Sequence, residues 1–227
     1  MSEPAVITID GPSGTGKGSV AKAVADRLGF RLLDSGALYR VLGIAVLRHG
    51  IELDSHHEVA QLARNLDIEF GRTGPDSVWL DGEDVSADIR TEQGSYMASR
   101  VGAIPEARAG LLERQLAFRQ FPGLVADGRD MGTVVFPGAQ VKIYLTASPE
   151  ERAQRRYKQL IGKGIDAILP DLLRDLKERD ERDSRRAISP LKPAEDAAVL
   201  DTTTLNLAEV IGRVMDLVGA KLPPKNP

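Results

Sequence analysis

The run Gly11-Pro12-Ser13-Gly14-Thr15-Gly16-Lys17-Gly18-Ser19 carries chemistry most plainly. It has the G-x-x-x-x-G-K spacing of a loop that cradles phosphate. Its glycines let the backbone curl and present a row of N–H donors to phosphate oxygens. Lys17 places a full positive charge where the outer phosphates of a nucleoside triphosphate would lie. The common pattern puts Ser or Thr directly after the lysine, to reach magnesium. Here Gly18 stands in that place and the hydroxyl follows at Ser19. A second set of chemically able residues lies far along the chain. Asp127 ends an apolar run, and an acid so placed beside a phosphate loop often holds magnesium through water, although strands also end in Asp for turn reasons. Gly128-Arg129-Asp130-Met131-Gly132-Thr133 follows at once, with glycines flanking charged residues. Arginines gather at Arg40, Arg129, Arg152, Arg155, Arg156, Arg179, Arg182 and Arg186. Phosphoryl transfer needs charge neutralisation and alignment more than covalent help. This supply exceeds what a simple hydrolase needs and suits a site holding two phosphorylated ligands. No general base stands out, and none is needed if the acceptor is itself a phosphate, whose oxygen is already an anion.

These residues need elements to hold them. Ala5-Val6-Ile7-Thr8-Ile9 reads as a buried strand, and Val20, Val24 and Leu28 mark the helix that the loop opens. Strand, glycine loop and helix together are the context in which the loop match is specific, and the helix N-terminus adds partial positive charge for anions. Gly29 stops that helix. Phe30-Arg31-Leu32-Leu33 is a second strand, ended by Asp34-Ser35-Gly36, with Asp34 and Ser35 as cap candidates for a helix through Val46. Arg40 near that helix start is unfavourable for the macrodipole; a bound anion would offset this, whereas the local sequence alone reads as a solvated surface arginine. A helix is expected from Ser55 to Arg64. Leu66–Phe70 and Ser77–Leu80 then alternate with period two, with a hairpin turn at Asp81-Gly82-Glu83 and a third short strand at 83–85. This antiparallel patch interrupts a βα pattern and reads as an insertion. Helices are expected at 87–100 and 106–119.

Strands follow at 123–127, 141–145 and 197–201. Ser148-Pro149-Glu150-Glu151 is a full helix start, with cap, first-turn proline and capping-box glutamate. Gly162-Lys163-Gly164 stops that helix. The run Lys177-Glu178-Arg179-Asp180-Glu181-Arg182-Asp183-Ser184-Arg185-Arg186 reads, by itself, as a solvated helix with Glu178–Arg182 and Arg179–Asp183 pairs. Beside a triphosphate site, two arginine-rich helices joined by a glycine break also make a closing lid. Leu207, Val210, Ile211, Val214 and Val218 stripe a terminal helix for core packing. The expected fold is α/β: a five-stranded, doubly wound parallel sheet with a P-loop, a small antiparallel insertion at about 58–100 and a lid at about 150–186, all in one domain spanning 1–227.

Composition bounds the rest. The 227 residues suffice for one domain with a sizeable core. Net charge is −3 and the pI about 5.7, so there is no global basic field for nucleic acid. Cys is absent, which excludes thiolate metal sites and Cys nucleophiles and suits a reducing compartment. No apolar run approaches a membrane span. Met1-Ser2-Glu3-Pro4 is acidic and leads straight into the first strand, so no signal peptide is expected. The tail from Leu222 to Pro227 is expected to fray.

Four stretches carry a family resemblance over nearly the full length: Ile7 through Gly18, Leu33-Asp34-Ser35-Gly36-Ala37-Leu38-Tyr39-Arg40, Asp127 through Pro137, and Lys177-Glu178-Arg179-Asp180. In these the chain resembles bacterial cytidylate kinases, in the nucleoside monophosphate kinase family, among which Gly after the loop lysine is also usual. The resemblance implies ATP-dependent phosphorylation of CMP and dCMP, with Mg²⁺ as cofactor. ATP would be held by Gly11 through Ser19, and the metal by Ser19 and Asp127. It assigns the acceptor phosphate to Ser35, Arg40 and Arg129, the cytosine ring to Ser99, Arg108 and Asp130, and the sugar to Arg179 and Asp183. Asp127 joins the CMP-binding set, and Lys17, Arg129, Arg152 and Arg186 form the catalytic set. It further implies a cytoplasmic monomer acting on small molecules, without nucleic-acid or membrane partners. The base assignment is chemically coherent. Cytosine offers an amino donor to Asp130 beside ring acceptors for Arg108, and uracil reverses both edges.

Two other readings stay open at this level. A kinase of the same architecture could act on a different monophosphate or on an alcohol; an alcohol acceptor would want a base such as Asp34 or Asp127 close to it. A nucleotide-dependent switch or ATPase would hydrolyse without phosphorylating an acceptor; the acidic pI and the lack of an aromatic-basic stripe argue against nucleic-acid coupling.

Overall fold

The computed structural model describes residues 3–74, 76–162 and 164–222. Among these, the chain runs β1 (Ala5–Asp10), α1 (Lys17–Leu28), β2 (Arg31–Asp34), α2 (Ser35–Arg48), α3 (His56–Asn65), β3 (Ile68–Phe70), β4 (Val78–Leu80) and β5 (Glu83–Asp84). A 3₁₀ turn (Asp88–Arg90), α4 (Glu92–Val101), α5 (Pro105–Leu116), β6 (Gly123–Gly128), a π-turn (Met131–Val135) and β7 (Val141–Thr146) follow. The chain continues through α6 (Pro149–Ile161), α7 (Leu169–Ser184), β8 (Ala198–Asp201) and α8 (Leu207–Lys221). It divides into two compact units, one made of the residues up to Asp34 and from Leu116 onward, the other of Ser35–Gln115. The expected insertion at 58–100 lies inside the second unit. The expected fraying of 223–227 falls outside the described residues, as does Lys163.

The first unit is built on a five-stranded sheet of order β2-β6-β1-β7-β8, parallel at every pairing. Central β1 is buried on both faces, which is why it reads as an apolar run with little alternation. Ile7 and Ile9 face Val20 and Val24 of α1 and Val210, Val214 and Val218 of α8, forming the main core. Each such side chain contributes about 1.5–3 kcal/mol on burial. Thr8 and Asp10 point to the opposite face and are buried there too. Strand ends at the carboxyl edge of this sheet place Asp10, Asp34 and Asp127 together, in register or one residue apart across β1, β6 and β2.

In the second unit, α2 packs on α4 and on α3, and β3-β4-β5 form an antiparallel sheet. The hairpin turn is where the sequence puts it: Asp81 and Gly82 both take positive φ, 50° and 79°, between paired Leu80 and Glu83. The helix expected at 87–100 is instead broken. Thr91 interrupts it, turning extended so that its hydroxyl accepts the Gly94 N–H at 3.0 Å and caps α4. Helix α7 begins earlier than the charged run, at Leu169 with Pro170 in its first turn.

Candidate active site

The phosphate loop is preformed. Gly11 is pressed on β7 so closely that a Cβ would lie 2.1 Å from the Leu145 carbonyl oxygen, and its φ of +147° lies outside the range of other residues. Gly16, at φ 84°, turns the chain into α1. Lys17 Nζ donates to the Pro12 carbonyl at 3.1 Å and Thr15 Oγ1 to the same oxygen at 3.2 Å, so the lysine is folded back along the loop. Ser19 is exposed in the first turn of α1. Gly18 answers the departure from the common pattern: a Cβ there would stand 3.3 Å from Asp127 Oδ2. The Asp127 carboxylate therefore abuts the residue between Lys17 and Ser19.

Two arginines of α6 brace the loop from behind. Arg152, 2% exposed, donates through Nη1 to the Ser13 carbonyl at 3.0 Å, through Nε to the Ala147 carbonyl at 3.1 Å, and through Nη2 to Asp180. Arg155 donates through Nη1 to Thr202 Oγ1 at 3.1 Å and to the Thr15 carbonyl at 3.4 Å. Ser148 caps α6 as expected, its Oγ accepting the Glu151 N–H at 3.2 Å, but the expected capping box does not close: the Glu151 carboxylate pairs with Arg155 Nε at 2.9 Å, and the Ser148 N–H donates instead to Thr203 Oγ1 at 3.0 Å.

A separate arginine cluster surrounds Asp183, which is 1% exposed. Arg129 Nε donates to Asp183 Oδ2 at 3.3 Å, Arg179 Nε lies 4.0 Å from the same oxygen, and Arg186 Nη2 binds Oδ1. Burial pushes the Asp183 carboxyl up, but Arg129, Arg186 and Arg179 outweigh it and hold it below the usual carboxylate range. Asp130, between Arg129 and the π-turn, is buried, and its carbonyl accepts the Val134 and Val135 N–H groups at 2.9 and 3.2 Å.

The remaining expected residues belong to the second unit, gathered around α2. Ser35 Oγ donates to Gln115 Oε1 of α5 at 3.0 Å. Arg108 of α5 lies over the Tyr39 ring at 5.3 Å and donates to the Gly102 carbonyl at 3.1 Å. Arg40, one position on, is half-buried, and Ser99 on α4 is buried.

Sequence reasoning overlooked Gln115, which no local signal marks, and Asp10, which one could have marked: an acid ending an otherwise apolar strand immediately before the phosphate loop. Burial pushes the Asp10 carboxyl up to about 7, against the amides of Gly132 and Met131, with the Asp130 and Asp127 carboxylates adding to the rise.

A parallel α/β sheet with a preformed glycine loop after β1, backed by arginine-rich helices, defines a P-loop kinase. The chain belongs to the cytidylate kinase family, whose model, described as "Cytidylate kinase", matches residues 7–220. It is similar to a protein named cytidylate kinase from Shewanella halifaxensis (strain HAW-EB4), 52% identical over 226 residues and covering 98% of each chain. It is also similar to one of the same name from Aeromonas salmonicida (strain A449), 56% identical over 211 residues and 92% of each. Among solved structures, a gluconokinase from Sinorhizobium meliloti 1021 aligns over 97% of this chain and 94% of its own at 18% identity, with a TM-score of 0.47.

Proposed function

We propose that this kinase transfers the γ-phosphoryl group of ATP to CMP and dCMP, giving ADP with CDP or dCDP. The bond from the γ-phosphorus to the ADP oxygen breaks as a bond to an acceptor phosphate oxygen forms in line. The observation that carries the reading is the occurrence, on one unit, of a preformed phosphate loop and a separate arginine cluster ordered by Asp183. One sits where a donor triphosphate belongs; the other is surplus to it and suits a second phosphorylated ligand. The family relationship supplies the cytidine preference.

The loop from Gly11 to Ser19 holds ATP, its amides facing the phosphates and Lys17 leaving the Pro12 carbonyl to reach them. Arg129 and Arg186, with Ser35 and Arg40, take the acceptor phosphate and the charge that develops during transfer. Asp130 accepts from the cytosine amino group, Arg108 and Ser99 read the rest of the ring, and Arg179 and Asp183 meet the sugar. Arg152 completes the catalytic set through the loop it braces, since its guanidinium is engaged with Ser13, Ala147 and Asp180. The hydroxyl of Ser19 and the carboxylate of Asp127 offer hard oxygen donors beside the loop, which fits Mg²⁺ held partly through water. Bound there, the ion would neutralise phosphate charge.

The segment 58–100 serves the acceptor monophosphate and 150–186 closes over the phosphates within one kinase domain, excluding water and so preventing futile hydrolysis. The chain works as a cytoplasmic monomer on small molecules alone. The acidic charge balance argues against a nucleic-acid partner, and among the described residues no helix is long and apolar enough to cross a membrane.

The test is ADP release from ATP and Mg²⁺ with CMP, dCMP, UMP, AMP, GMP or no acceptor, with products identified. Strong dependence on CMP and dCMP, with the diphosphates formed, is expected. Preferred turnover of another monophosphate would keep the chemistry and overturn the base assignment. ADP released equally without acceptor would point to a hydrolase.

A further inference from the structure

Asp10 is a buried ionisable group that this chemistry leaves unused. It ends β1, the strand paired on both sides by β6 and β7, and is 5% exposed. Its Oδ1 accepts the Met131 N–H and its Oδ2 the Gly132 N–H, each at 2.8 Å. These amides open the π-turn, and the residues just before them are Arg129 and Asp130. The turn is seated firmly on this strand. A Cβ at Gly132 would lie 2.8 Å from Thr8 Oγ1 and 3.3 Å from both Asp10 Oδ2 and Lys142 Cδ. Downstream, the turn closes on itself through bonds from Val134 and Val135 to the Asp130 carbonyl and from Phe136 to the Met131 carbonyl at 2.7 Å. The backbone leaving Asp130 is thus clamped by a carboxylate from a different strand, and the phosphate loop begins at the very next residue after that carboxylate, Gly11.

We propose that Asp10 is a positioning residue for acceptor recognition: by holding the amides of Met131 and Gly132 it fixes Arg129 and Asp130 relative to the phosphate loop. This rests on the reading of Arg129 and Asp130 as CMP contacts. Two amides on one carboxylate form a strong, directional fork, stiffer than either bond alone. Asn at this position keeps the volume and one acceptor but turns an NH₂ group toward the second amide, donor against donor. The turn then lifts or twists, carrying the reading residues with it. A displacement of about 1 Å can cost about 10²-fold in rate.

The experiment compares wild type, Asp10→Asn and Gly132→Ala in steady-state kinetics with CMP, UMP and ATP. Gly132→Ala disturbs the same joint from the other side, and serves if Asp10→Asn fails to fold. The expected result is a fall in kcat/KM for CMP of about 10²-fold, a narrowed preference for CMP over UMP, and an unchanged KM for ATP. In an Asp130→Ala background, Asp10→Asn should change the CMP-over-UMP preference little further, because both act on one contact. Hydrogen exchange at the Met131 and Gly132 amides, which needs no substrate, should accelerate in Asp10→Asn. Unchanged CMP-over-UMP preference in both folded variants, or equal losses on CMP and ATP, overturns this role while leaving the functional reading intact. A wild-type chain that does not use CMP overturns that reading, and this role with it.

Discussion

Arg129 and Asp183, 54 residues apart in the chain, meet in a part-buried ion pair with Arg129 Nε 3.3 Å from Asp183 Oδ2. One comes from the end of β6 and the other from α7, so the pair ties the carboxyl edge of the sheet to the arginine-rich segment. Arg179 and Arg186 share the same carboxylate. Three guanidinium groups thus converge on one carboxylate.

Removing that acid should cost stability as well as binding. Asp183→Asn leaves three buried or half-buried guanidinium groups without their counter-charge, a loss of about 3 kcal/mol near neutral pH. The Asp183 carboxyl is held below its ordinary range by Arg129, Arg186 and Arg179 against burial. A folded-state pKa below the unfolded one gives stability that is present above the unfolded value of about 3.9 and lost as pH falls through the folded value. Urea unfolding from pH 8 to 3 should show a constant gap between wild type and Asp183→Asn down to about pH 5, closing below about pH 4. A gap that closes near neutrality would contradict the assignment.

Arg152→Lys should separate bracing from charge. Lysine keeps the positive charge but offers a point donor, and it cannot serve Ser13, Ala147 and Asp180 together. Loss of charge-assisted bonds of about 1.5–3 kcal/mol predicts a rise in KM for ATP of about 10- to 100-fold. KM for CMP should move far less, and initial-rate kinetics with each substrate varied in turn decides this.

Asp130→Ala should cut kcat/KM for CMP by about 10²-fold or more, the cost of leaving a buried donor of the base unpaired. ATP binding, followed by titration with a fluorescent analogue, should hold. Unchanged CMP kinetics would remove Asp130 from the base-reading set.

Gly18→Ala places a methyl group 3.3 Å from Asp127 Oδ2. The carboxylate must give way by a few tenths of an ångström, so the Mg²⁺ concentration for half-maximal turnover should rise while the melting temperature stays close to wild type. An unchanged Mg²⁺ dependence would place Asp127 outside the metal site.

How these residues acquire their separate tasks divides cleanly between short and long range. The phosphate loop, the hairpin at Asp81-Gly82, the Ser148 cap and the strand cores were legible because each depends on neighbours a few residues away: a positive φ, a hydroxyl three residues before an amide, an apolar run. The break at Thr91 is equally local, a hydroxyl three residues before the Gly94 amide. The charged run of α7 shows where local pattern stops. It supported both a solvated helix and a working one, and the fold exposes one of its two expected ion pairs and buries the other. Glu178 and Arg182 sit partly in water with 3.9 Å between their charged atoms, whereas Arg179 and Asp183 turn inward. The sequence by itself determined the fold class, the triphosphate loop and the family. Only the tertiary structure decided that Arg152 braces the loop, that Asp183 orders three arginines, and that Asp10 clamps the turn after Asp130. The physical reason is that charge–charge and hydrogen-bond partners are chosen by what the sheet order brings within a few ångströms, and pairings 28, 54 and 121 residues apart leave no periodic trace in the chain.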